Sequence, residues 1–197
     1  MILTKELALQ MLKDAGKKSS ENARWIAHCI CVGTTAENIA KALGWDSEKA
    51  CAMGYVHDIG KAYGSVAEHS INGYNFLLSK GIDEEYASVC LTHSYLNNDV
   101  ACIAEPLQPN IPFRTEYIQN HEYSIYEKLI CLCDLMCTDV TMTLEKRLID
   151  IISRKGAHEN TVYHIKEAQK LKMLFDGLIH NYGYKDIYSV LPYVNWR

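Results

Sequence analysis

The sequence predicts an all-α protein, a single helical bundle of about six to eight helices, and three observations carry that expectation. Helix starts and stops alternate along the 197 residues, apolar positions recur at helical spacing, and no alternation of period two runs beyond about four residues. In chain order, Ser20 before Glu21 reads as an N-cap with an acidic first turn, and Gly44 after Leu43 as the stop. Asp46 before Glu48 opens the next helix, whose apolar run AMGYV ends in HDIGK at Gly60. Gly81 after Lys80 closes another, and Asp83 before Glu84 and Glu85 starts one more. Pro106, Pro109 and Pro112 make a loop. From Phe113 to Lys155 there is neither Gly nor Pro, and Leu144, Leu148, Ile151 and Ile152 keep helical spacing, so this stretch reads as helix. Gly183 ends the last helical region, near His180.

Composition narrows the function classes. Apolar residues at 48% and charged residues at 22% fit a globular chain, read here as one domain over 1–197. With 20 basic against 24 acidic residues the net charge is -4, so no field gathers duplex nucleic acid non-specifically. The longest stretch free of Asp, Glu, Lys and Arg, Tyr86 to Asn98, falls far short of the roughly 20 residues a membrane helix needs. Lys5 and Glu6 stand where a signal peptide would be apolar, so a cytoplasmic protein is expected. The eight cysteines form no CxxC pair, and several, Cys29, Cys31, Cys131, Cys133 and Cys137, lie in apolar runs, so they read as reduced core thiols.

The chemistry shows in lone titratable residues inside runs that otherwise look buried. His28 stands in WIAHCICV, His93 in ASVCLTHSYL and Asp134 in LICLCDLMC. A buried carboxylate needs a cation, a metal or several donors. The adjacent His57 and Asp58 point about 100° apart on a helix, so they cannot pair with each other, yet near a helix end both can reach one atom. A metal ion suits that geometry, and the nitrogen-plus-oxygen donor set favours Fe, Mn, Co or Zn over Mg or Ca.

His28, then His57-Asp58 in HDIGK, then Asp134, spread over a helical chain, resembles the HD-domain superfamily of metal-dependent phosphohydrolases. The likeness runs from about residue 22 to 152 and leaves a helical C-terminal extension, 157–197, without a motif. It implies that His28, His57, Asp58 and Asp134 are metal ligands. His69 in EHSINGYNFL and His93 in LTHSYL are similar in order to the second-metal histidines of bacterial HD proteins that look like diadenosine tetraphosphate hydrolases. One or two divalent ions are therefore implied. The residues after the HD pair, IGKAYG, differ from those relatives, so their substrate does not carry over.

The implied reaction is hydrolysis of a phosphate ester or anhydride, of a nucleotide or another small phosphorylated metabolite, by metal-activated hydroxide. Asp58 would bind or bridge metal, and Lys61, three residues on, would steady a phosphoryl oxygen. The alternatives are a non-catalytic metal- or nucleotide-binding HD signalling module and a di-iron HD oxygenase. Arg114 and His121 are expected at the surface rather than on the substrate side. His158, His164 and His180, amid charged neighbours, are expected on solvated faces. The tyrosine-rich C-terminal segment YGYKDIYSVLPYVNW is expected to pack internally or to form a homodimer surface.

Overall fold

A computed structural model describes residues 1–18, 24–104 and 112–196, and among them it is helical with no strand. The helices are α1 (Lys5–Gly16), α2 (Arg24–Ala42), α3 (Ser47–Val56), α4 (His69–Ser79), α5 (Glu84–Ala87), α6 (Val89–Thr92), α7 (Pro112–Asn120), α8 (Ile125–Asp134), α9 (Leu144–Lys155) and α10 (Thr161–His180). Two of the ten, α5 and α6, are single turns of four residues, which leaves eight longer ones. No helix among the described residues is long and apolar enough to cross a membrane. Ser20, Glu21, Pro106 and Pro109 lie outside the described residues.

The centre is α3. Every residue from Ala50 to Val56 is buried, as expected of a helix that is apolar all round, and α1, α2 and α8 pack about it. Asp46 caps it as expected, its carboxylate accepting from Lys49 N at 2.9 Å. Asp83 stands at the N-cap of α5 but makes no capping bond; its carboxylate takes the Met1 ammonium instead. Gly44, Gly81 and Gly183 follow their helices with positive φ, as stops should.

The Gly- and Pro-free stretch 113–155 is interrupted twice, giving parts of three helices, and capping side chains explain the breaks. Ser124 and Glu127 form a reciprocal capping box at the start of α8, and Thr143 caps α9. Between them a single bridge, Cys137 to Thr141, turns the chain. All eight cysteines are buried and unpaired. The C-terminal segment packs inward through His164, Ala168, Phe175 and Ile179 on one side of α10. It is pinned by Leu144 N donating to Tyr188 Oη at 2.8 Å and Asn195 N donating to Thr141 O at 2.8 Å. Tyr182, Tyr184 and Tyr193 are exposed.

Two glycine contacts set the positions of the functional groups. Where α2 crosses α3, a Cβ on Gly54 would lie 2.5 Å from the Gly33 Cα, so only a Gly–Gly crossing lets His28 and His57 meet. In the 3-10 turn Ile59–Ala62, a Cβ on Gly60 would lie 1.8 Å from His69 O and 2.4 Å from Gly73 N. That contact seats the turn after Asp58 on the first turns of α4, which begins with His69.

Candidate metal centre

All six residues expected at the metal centre converge. His28 projects from α2, His57 and Asp58 follow the last turn of α3, His69 opens α4, His93 caps α6, and Asp134 ends α8. His57 and Asp58 are almost fully buried, at 0% and 2% exposure. Helix ends suit these roles, because a residue there can turn its side chain off the helix face towards a shared centre.

Asp58 divides the array in two. Its Oδ2 lies 3.6 Å from His57 Nε2 and 3.8 Å from His28 Nε2, while its Oδ1 lies 3.2 Å from His69 Nε2 and 3.6 Å from His93 Nε2. His28, His57 and Asp58 each place a ligand atom within 4.8 Å of the others, and so do Asp58, His69 and His93. Asp134 stands beside the first group, its Oδ1 2.9 Å from His28 Nε2 and 3.7 Å from His57 Nε2.

The hydrogen bonds fix which nitrogens face inward. His57 Nδ1 lies 2.7 Å from Gly54 O and His93 Nδ1 3.0 Å from Val89 O, so both Nδ1 atoms carry the proton and donate it outward. Each Nε2 then presents a lone pair to the centre, the arrangement a metal-ligating histidine adopts. Burial pushes the His57 imidazole down to about 3, so it stays neutral near pH 7. Burial also opposes charge on His28, but Asp134 and Asp58 outweigh it and raise its pKa. Burial would raise Asp58, yet Lys61 and the surrounding imidazoles hold it well below the usual carboxylate range.

Metal fits this set. Asp58 Oδ1 is buried and, among the described residues, accepts no hydrogen bond although two imidazole nitrogens face it. Four imidazoles and two carboxylates at this spacing are a borderline donor set of the kind Fe, Mn, Co and Zn take.

Lys61 is placed differently from a group that waits only for substrate. In a 3-10 turn residues three apart eclipse, so its ammonium falls on Asp58 Oδ2 and pairs with it. Burial lowers the Lys61 pKa and Asp58 more than restores it, so the net shift is upward.

A cleft of about 830 Å³ opens over the array. Six cationic side chains border it, Arg24, Lys61, Arg114, Arg147, Arg154 and Lys155, against three aspartates among the described residues. Two surface expectations are corrected here. Arg114 is buried, at 5% exposure, because α7 lays it over Tyr95 and against Ser70. His164 is buried at 3% and borders the cleft, because it begins the inward stripe of α10. Burial pushes its imidazole down to about 4. His158 is half-buried, its Nε2 enclosed without a partner among the described residues, and His180 is exposed as expected. His121 does not border the cleft and, as expected, keeps part of its side chain, 25%, exposed. Its Nε2 meets Glu127 Oε1 at 2.8 Å, and Glu127 also accepts from Thr92 Oγ1 and Ser124 N, tying α6 to α8.

A signal for part of the missed lining was present in the sequence. Arg147, Ile151, Arg154 and Lys155 recur at i, i+4, i+7 and i+8, one face of α9, and all four border the cleft.

The HD domain model matches residues 25–139, more than half of the chain, whereas comparison with curated proteins finds no match. Among solved structures, the HD domain of the L. monocytogenes phosphodiesterase PgpH is 16% identical, covering 88% of this chain and 97% of its own, with a TM-score of 0.49. The same domain in complex with cyclic-di-AMP is 17% identical, covering 87% and 94%, with a TM-score of 0.50. A predicted HD superfamily hydrolase from an uncultured Thermotogales bacterium is 16% identical, covering 93% and 95%, with a TM-score of 0.42. With its helical fold, its divided array about Asp58 and a family match that begins before His28 and ends after Asp134, the chain belongs to the HD domain family.

Proposed function

We propose that this chain hydrolyses a phosphate ester or anhydride of a small metabolite, a nucleotide among the fitting classes, using two divalent transition-metal ions. The observation that carries the reading is Asp58, one buried carboxylate with an oxygen turned to each of two ligand groups. His28, His57, Asp58 and Asp134 would hold one ion, and Asp58, His69 and His93 the other. Ions bound there would lower the pKa of a coordinated water and offset charge on a phosphoryl oxygen. The cationic border of the cleft suits a phosphorylated substrate, and cyclic-di-AMP on the L. monocytogenes HD domain supports a nucleotide.

The chain's own residues divide the remaining work. Gly54 O and Val89 O orient His57 and His93 so that their lone pairs stay inward. Lys61 holds Asp58 and stands at the cleft border, where its ammonium reaches a phosphoryl oxygen. His164 comes from the C-terminal extension, which supports residues 1–197 working as one unit.

The experiment is a panel of phosphomonoesters, phosphodiesters and nucleotides assayed with chelator-treated protein before and after Mn is restored. Turnover that vanishes on chelation and returns with Mn supports the proposal; equal turnover in both states overturns it. Within that panel, Lys61→Ala is expected to lower kcat/KM about 10- to 100-fold, the worth of one charge-assisted hydrogen bond. Its metal content should equal or exceed that of the wild type, because the lost ammonium no longer competes for Asp58 Oδ2. Unchanged turnover would place Lys61 outside the reaction.

A further inference from the structure

Three Asp, Glu, Lys or Arg side chains are buried among the described residues: Asp58, Glu127 and Arg114. Asp58 is paired with Lys61 and Glu127 with His121. Arg114 has no carboxylate partner among the described residues. Its Nη1 donates to Ser70 Oγ at 3.0 Å and its guanidinium lies 5.7 Å from the centre of the Tyr95 ring, among the described residues. A guanidinium carries five N–H donors, more than one hydroxyl and an aromatic face take up among the described residues, and a buried charge without a counter-charge is costly. This one borders the cleft. An anion that enters the cleft would supply what the fold withholds.

The position of Arg114 relative to the ligands tells which anion. Ser70, its anchor, follows His69 on α4, and successive helical residues point about 100° apart, so the Ser70 hydroxyl and the His69 imidazole diverge. Arg114 is thus held beside the ligand array, on the side of His69 and His93, while the cation within the array is Lys61. Helix α7 packs on α6, the turn that His93 caps, which keeps the guanidinium at that end.

We infer that Arg114, fixed by Ser70 and Tyr95, binds a second phosphate group of the substrate, distinct from the one that reacts, so that the cleft selects substrates carrying two phosphates. The inference deepens the phosphohydrolase reading and rests on it. Planar N–H pairs on a guanidinium match phosphate oxygens two at a time, so lysine at this place would keep the charge and lose the fork.

The test uses inorganic pyrophosphate as the probe, titrated calorimetrically into the full chain in the presence of chelator, so that the heat reports side chains rather than metal. Arg114→Ala is expected to weaken pyrophosphate binding about 10- to 100-fold, and Arg114→Lys by several-fold with helix content unchanged. With Mn restored, Arg114→Ala should raise KM for a nucleoside diphosphate by a similar factor, and by clearly more than it raises KM for p-nitrophenyl phosphate. Should the alanine variant not fold, the lysine variant decides by the same titration. Pyrophosphate affinity equal in wild type and variant, or no pyrophosphate binding by the wild type, overturns the inference. So does an equal loss on both substrates, which would move Arg114 onto the reacting phosphate. If the wild type binds pyrophosphate through Arg114 yet turns over nothing with metal, the hydrolase reading fails and the anion site stands.

Discussion

Asp58→Asn is expected to lose both metal ions and to lower kcat/KM on the order of 10³-fold or more, while helix content by circular dichroism stays at the wild-type level. The reason is the division of labour in its carboxylate. Oδ2 faces His57 and His28 and Oδ1 faces His69 and His93, so a single change weakens both groups. An amide keeps the shape of the side chain but surrenders the charge and one of the two acceptors. The fold should survive, because Lys61, left without its counter-charge, has a side chain 26% exposed and can turn to water. Full metal occupancy in this variant would contradict the assignment of Asp58.

Gly60→Ala is expected to be the most damaging change among residues that would not themselves hold metal. The added methyl would stand 1.8 Å from His69 O and 2.4 Å from Gly73 N, both backbone atoms that cannot swing aside. The turn after Asp58 must then lift off α4, which separates Asp58 from His69. Overpacking of this kind costs about 1–3 kcal/mol, so Tm should fall by roughly 2–12 °C for a chain of this size. Misplacement by about 1 Å at a reacting centre costs on the order of 10²-fold in rate, and the ion shared by Asp58, His69 and His93 should be lost first. Gly81→Ala is the control. Its φ of 72° strains any side chain, but no atom lies within 4 Å of the added Cβ and the site is remote, so stability should fall with metal content unchanged. A Gly60→Ala protein with wild-type Tm and two ions would show that the turn tolerates the shift.

The candidate metal centre was legible in the sequence because its residues break a pattern. Histidines and an aspartate inside runs such as LICLCDLMC stand out against what surrounds them, and their order matches the family's. The cleft wall was not legible in the same way. Arg114 and His164 sit among polar neighbours, where local composition favours the surface, and only tertiary packing decides otherwise. Arg114 is buried because Tyr95 and Ser70, from two other parts of the chain, come under it. His164 is buried because α10 packs back onto α8 and α9. The breaks after Asn120 and Asp134 carry no Gly or Pro, and their signals, Ser124 with Glu127 and the cap at Thr143, are weak beside the continuous helical spacing. The contacts of Gly33 with Gly54 and of Gly60 with α4 depend on the relative placement of elements, which one sequence does not display.

The most direct test of the two-ion reading of Asp58 is anomalous X-ray diffraction at the Mn edge from crystals of the full chain grown with Mn. Two peaks roughly 3.5–4 Å apart, one between Asp58, His28, His57 and Asp134 and the other between Asp58, His69 and His93, are the expected result. A map with no peak touching Asp58, or with Mn bound only elsewhere on the chain, would contradict it.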